Sequence, residues 1–263
     1  MFKNSFDYAT KDWDKVFTLG LLLVIFAVLV LLVIGGAIVH PVIGVIIGIL
    51  AFIAYIVVIL IFLGYGLSVT RDTIHNRNIA TGNESKFLPD FNWVENIIDG
   101  LKLVVLQVIY MIIPMIVAMI LLFIWGIFSA ATLSTVGTDV DPNTFFTTIS
   151  GLLFVIIYIL IILLILFFTL LEYIAVGRLA ETGRFGSIFD FKEILDTISR
   201  IDWKKYIIWF IIFFIVSIYL TFFSSVLMFI PVVGWLLFML VIPAFLVIFM
   251  FRAIGLLYNE SKV

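Results

Sequence analysis

Cysteine is absent from this chain, which excludes disulfides, thiolate nucleophiles and Cys-ligated metals and leaves the redox compartment unreadable. Charge is scarce as well. Asp, Glu, Lys and Arg make up 12% of the residues, against about 25% in soluble domains. The only histidines, His40 and His75, lie in different connections, so a His-rich metal site is excluded. Four stretches hold no charged side chain at all: residues 16–70, 103–138, 142–171 and 206–251.

What fills those stretches is apolar. Hydrophobic residues are 65% of the chain and the mean hydropathy is +1.33, more apolar surface than a water-soluble core of this length absorbs. Matched to about 20 residues per crossing, the four runs hold two, one, one and two spans. The sequence therefore predicts an all-α membrane protein with six transmembrane helices, at about residues 16–34, 42–66, 103–128, 150–176, 206–227 and 231–251, in a single polytopic domain over residues 1–263.

The cations supply an orientation. All fifteen Lys and Arg fall before the first span, in the second and fourth connections, or after the sixth span, and none falls in the first, third or fifth connection. By the positive-inside rule both termini and the two large polar connections are expected on the cytoplasmic side of the cell membrane. The first span, 19 residues behind a segment in which Asp7, Asp12 and Asp14 balance three lysines, is longer than the 7–15-residue core of a signal peptide and reads as retained. Ahead of it Phe2, Phe6, Ala9, Trp13 and Phe17 recur at helical spacing, as expected of a helix anchored in the membrane interface.

Two segments 100 residues apart resemble one another. Leu88-Pro89-Asp90-Phe91 precedes Val94, Ile97, Ile98 and Leu101, and Ile188-Phe189-Asp190-Phe191 precedes Ile194, Leu195, Ile198 and Ile201. Steps of 3 and 4 place each apolar set on one face of a short amphipathic helix. Asn92, Glu95, Asn96 and Asp99 take the opposite face of the first; Lys192, Glu193, Asp196 and Arg200 take that of the second. Asn92 with Glu95, and Asp190 with Glu193, have the spacing of helix-start caps. The predicted repeat is span, cytoplasmic amphipathic helix, span: about 42–128 and again 150–227, with flanking spans at 16–34 and 231–251. Both copies begin and end on the same sides, so the repeat is parallel rather than inverted.

These residues carry a family resemblance. Gly64-Tyr65-Gly66, Arg71, Leu88-Pro89-Asp90-Phe91, Asp99-Gly100-Leu101-Lys102, Tyr110 to Pro114, Thr182-Gly183-Arg184-Phe185 and Phe189-Asp190-Phe191 together resemble the domain of unknown function 4013 family. The resemblance implies a polytopic membrane protein, of a kind found largely in archaea, and brings no activity, substrate or catalytic residue with it.

Few groups in the spans carry chemistry. Glu172 is the one carboxylate inside a predicted span. It is either paired with Arg71 or Arg178 or solvated at the boundary, or else it is a proton or cation site. Ser217, Thr221, Ser224 and Ser225 share a face of the fifth span, and this face either packs on a neighbouring helix or lines a polar path. Gln107 is a lone polar group in the third span. Gly44 and Gly48 form a close-approach face in the second, and Pro114 and Pro243 are expected to kink the third and sixth. Asp139-x-Asp141-x-Asn143 begins like a calcium loop but has Ser150 at the twelfth position, so it reads as a turn. Asn83-Glu84-Ser85 and Asn259-Glu260-Ser261 match the glycosylation pattern on the side where it goes unused.

No catalytic, cofactor-binding or metal residue is expected, and no nucleic-acid partner. The preferred reading is a non-enzymatic membrane scaffold or docking component. Its interfacial basic residues, Arg71, Arg77, Arg178, Arg184, Lys204 and Lys205, face anionic lipid headgroups or a membrane or cytoplasmic protein partner. The alternative is a small-molecule or lipid carrier or channel with a polar path between the repeats, using Glu172, Ser217, Thr221, Ser224 and Gln107.

Overall fold

A computed structural model describes residues 1–75, 88–136 and 149–262. Among these the secondary structure is helical, with no strand: α1 Phe2–Ala9, α2 Trp13–Val39, α3 Pro41–His75, α4 Trp93–Val136, α5 Ile149–Thr182, α6 Phe191–Ile201, α7 Trp203–Ser225 and α8 Val233–Asn259. Six of them are long and apolar enough to cross a membrane. In the most apolar window of each only 6–28% of the residues are buried by protein. Apolar helices left so bare are stable where lipid covers them, because each satisfies its own backbone hydrogen bonds. The protein is a multi-pass membrane protein.

Local chemistry sets most of the boundaries. Asp12 caps α2 by accepting from the Lys15 amide at 3.4 Å. Pro41, which has no N–H to leave unpaired, opens α3 immediately after the His40 break. The α5 helix closes on Gly183, whose φ of 65° lets its amide donate to the Leu179 carbonyl at 2.9 Å. The α4 and α8 helices continue through Pro114 and Pro243.

The fold divides into two compact units. The first comprises Met1–Val104 and Ile174–Val263. In it α2, α3 and α8 pack together and α1 lies on α8. Close approach depends on missing side chains: a Cβ on Gly20 would lie 1.7 Å from the Leu240 carbonyl oxygen, and one on Gly44 would meet Ala37 at 2.6 Å. Gly48 makes no such approach, its nearest neighbour, Val33, being 3.8 Å away. The α1 helix is docked on protein rather than floating in the interface. Phe2 lies against Trp209, Phe213 and Phe249 with ring centroids 5.9–6.4 Å apart, and Ser5, Tyr8 and Ala9 are buried.

The second unit, Val105–Tyr173, comprises parts of α4 and α5. Trp125 links them, donating from Nε1 to the Ser150 carbonyl at 3.0 Å and packing on Phe154.

The two amphipathic segments differ from one another. Residues 191–201 form a separate helix, α6, in which Ile194, Ile198 and Ile201 are buried while Leu195, expected on the same face, is exposed. Residues 93–101 are instead the first turns of α4 and run without a break into the third span. Their faces are mixed: Asn96 and Asp99 are buried while Asn92 and Glu95 are exposed, and Val94, Ile98 and Leu101 are more than half exposed while Ile97 packs on the core. The cause is the contact with α3, where a Cβ on Gly64 would lie 1.7 Å from the Asn96 carbonyl oxygen and one on Gly100 would lie 1.9 Å from that of Leu60. Two backbones this close turn the Asn96–Gly100 face inward, whatever its polarity.

Candidate functional site

The ionisable side chains of the first unit gather at the ends of α3, α4, α5 and α8 into three clusters. In the first, Asp99 is only 1% exposed and bridges two cations, Arg71 at 2.7 Å and Lys102 at 2.7 Å. Glu95 adds a more exposed pair to Arg71 at 3.0 Å. Asn92 begins this stretch as a reciprocal cap, accepting from the Glu95 amide and donating to its carboxylate. Asn96 accepts from Ser68 at 3.2 Å, while its Nδ2 has no partner among the described residues. Lys15 reaches across from α2 to the Leu88 carbonyl and to Asp90. A cavity of about 530 Å³ opens beside this cluster, between Arg71, Glu95, Ile98, Lys102 and Glu181.

The second cluster is buried. Arg252 is 2% exposed. Its guanidinium donates to Thr73 Oγ1 at 3.0 Å and twice to Asn4 Oδ1, and it lies 4.2 Å from the centre of the Tyr8 ring. Tyr8 in turn donates to Asp72 at 3.0 Å. Burial, and then the Asp72 charge, push the Tyr8 phenol well above its ordinary range. The N-terminal helix thus adds Asn4 and the Tyr8 ring to the Thr73 acceptor that α3 already supplies to this cation.

In the third cluster Arg178, 13% exposed at its side chain, lies 3.5 Å from Asp190 and 3.4 Å from Glu193. Arg200 also reaches Glu193, at 2.7 Å, and Glu181 takes both Lys262 and the Tyr258 hydroxyl. Asp190 caps α6 through the Glu193 amide at 3.2 Å, the interaction its spacing predicts.

Among the described residues of the first unit, the α7 hydroxyls considered for an intramembrane path make no hydrogen bond to these clusters. Ser217, Thr221 and Ser224 each donate to the carbonyl four residues earlier in α7, and Ser225 to the one three earlier. The hydroxyls are thus satisfied inside their own helix. Gln107 is exposed on α4. Glu172 is half-buried in the second unit, a segment with no Lys, Arg or His in its sequence, and both arginines considered for it pair with other carboxylates. Of the interfacial basic residues, Arg71 and Arg178 are engaged in ion pairs, Lys205 pairs with Glu260, and Arg184 and Lys204 are exposed. Arg77 and the Asp139 to Asn143 turn lie outside the described residues.

Sequence reasoning missed the burial of Arg252, Asp99 and Asn96. A signal for Arg252 was present. Phe251 precedes it, and six residues from Ala253 to Tyr258 without a charge follow it, which reads as an isolated cation inside an apolar helix rather than beyond its end. Asp99 is followed directly by Gly100, the close-approach residue.

No curated protein and no solved structure matches the chain. One family matches the chain over positions 46–229, a stretch that holds α4 to α7, the Asn92 and Asp190 caps and the Gly64 and Gly100 contacts, and the chain belongs to that family, the protein of unknown function (DUF4013) family.

Proposed function

We propose that this protein is a non-enzymatic scaffold of the cell membrane, with both termini and its ionic clusters on the cytoplasmic side, where they form a docking surface. One observation carries the reading. The hydroxyls that would line a path through the membrane bond to carbonyls of their own helix, whereas the charged side chains form an ordered lattice at one end. The concentration of cations there attracts anionic headgroups by about 1 kcal/mol for each exposed Lys or Arg. Equivalent caps at Asn92–Glu95 and Asp190–Glu193 support reading the two segments as copies of a parallel repeat. The apolar row Val94, Ile98 and Leu101 is the part of that surface that contacts the inner leaflet.

The native absence of cysteine provides a direct test. Single cysteines at Ser217, Thr221 and Ser224, treated with a charged, membrane-impermeant thiol reagent in inside-out vesicles, whose outer face is the cytoplasmic one, are expected to stay unmodified, while one at Lys204 reacts. Labelling at the α7 positions from water refutes the scaffold reading. A carrier is the second reading, motivated by Glu172 in a segment without a counter-ion. It requires that Glu172→Gln abolish a proton or cation flux into vesicles reconstituted with the protein.

A further inference from the structure

The end of α5, α6 and the turn after α8 line an open cavity of about 440 Å³, within the range of about 300–1,000 Å³ typical of small-molecule sites. Its walls carry three cations, Arg178, Arg200 and Lys262, and two carboxylates, Glu181 and Glu193. Asp190, 3.5 Å from Arg178, adds a third carboxylate beside the walls, so cations and carboxylates balance in number.

Hydrogen-bonding capacity is more lopsided than charge. Glu181 is occupied at both oxygens, by Lys262 at 2.5 Å and by the Tyr258 hydroxyl at 2.6 Å. Glu193 Oε1 is shared between Arg200 at 2.7 Å and Arg178 at 3.4 Å. On the donor side, each guanidinium has five N–H groups. Arg178 Nε is buried with no acceptor among the described residues, and the two ion pairs of Arg178 are long. A buried N–H left without an acceptor is unfavourable, and the planar fork of a guanidinium matches the paired oxygens of a carboxylate or a phosphate. The N–H groups of the two guanidiniums outnumber the carboxylate oxygens they meet.

We propose that this cavity binds the phosphate group of an anionic ligand, held by Arg178, Arg200 and Lys262. The proposal deepens the docking reading above, under which a phospholipid headgroup is the nearest source of that group, a phosphate-bearing solute being the other. Occupancy would hold α6 against α5 and the C-terminal turn, coupling the docking surface to the presence of the ligand.

The test uses the purified full-length protein in a neutral detergent, with the thermal-unfolding midpoint followed as a function of probe concentration. The probes are inorganic phosphate, dihexanoyl phosphatidic acid and, as a control, dihexanoyl phosphatidylcholine. Saturable stabilisation is expected from phosphatidic acid, from inorganic phosphate, or from both, and not from phosphatidylcholine. Tighter binding of phosphatidic acid identifies a lipid source, and equal or tighter binding of inorganic phosphate a soluble one. Arg200→Gln, at a half-exposed position, is expected to weaken binding about tenfold through loss of one charge-assisted contact. The Lys3→Gln variant, altered at an exposed position outside the cavity, is expected to bind as the unaltered protein does. Absence of saturable stabilisation by either anion overturns the proposal, as does an equal loss in Arg200→Gln and Lys3→Gln, which would mark diffuse attraction to basic side chains. Cysteine labelling on α7 is independent of this titration. Unlabelled spans with no anion binding would refute the site and leave the scaffold reading intact.

Discussion

Arg71 contacts two carboxylates that differ chiefly in burial, which makes them a controlled pair. Asp99 is 1% exposed at its side chain and Glu95 is 50% exposed. Replacing Asp99 with Asn keeps the shape but leaves Arg71 and Lys102, both 2.7 Å from it, without their shared counter-charge. Breaking a buried pair by removing one partner costs about 3–5 kcal/mol. Arg71 and Lys102 retain 29% and 30% side-chain exposure and can turn toward water, so the lower end, about 3 kcal/mol, is expected. Glu95→Gln breaks a pair at a similar distance, 3.0 Å, but in a screened setting, and about 0–1 kcal/mol is expected. The measurement is equilibrium unfolding in mixed micelles, monitored by tryptophan fluorescence, on both variants and on Asp99→Asn combined with Lys102→Met. The double variant removes one of the stranded cations and is expected to recover part of the loss. If Glu95→Gln destabilises as much as Asp99→Asn, burial is not what distinguishes the two carboxylates and the inward orientation of Asp99 is wrong.

Two further outcomes follow from the packing. Gly64→Ala, whose Cβ would fall 1.7 Å from the Asn96 carbonyl oxygen, is expected to force α3 and α4 apart and lower the unfolding midpoint sharply. Gly126→Ala, with nothing within 4 Å, is expected to be neutral or to stabilise by up to about 1 kcal/mol from helix propensity. The raised Tyr8 phenol makes stability fall in alkali: above pH 10 the unfolded chain releases this proton while the folded protein keeps it. That contribution is fully present below the ordinary phenol range and is lost as pH rises. Tyr8→Phe is therefore expected to shallow the decline between pH 10 and 12 while costing about 1 kcal/mol at neutral pH, through loss of its bond to Asp72. Unfolding measured across that range in both proteins decides it.

Hydrogen-bonding chemistry located the caps at Asn92 and Asp190, because it depends on residues within a turn of one another. The orientation of the faces was legible only for α6, where isoleucines bury against protein as they would in water. In the first turns of α4 the apolar residues divide between the two sides. Next to a bilayer an apolar face has two favourable places to go, and the glycine contact at Gly64 and Gly100 chose between them. The hydroxyl face of α7 was legible as a pattern too, but whether its oxygens bond within the helix or across to another is a rotamer choice that spacing does not express.

By itself the sequence determined the solvent, the number of long apolar helices and the uneven distribution of charge, since the cost of carrying a cation or a bare backbone group into lipid is a property of each segment taken alone. Only the tertiary structure decided which polar groups are internal. Arg252 is held by Asn4, 248 positions away, and by Thr73, 179 positions away; acceptors this distant in the chain are selected by how helices pack, and no local pattern encodes them.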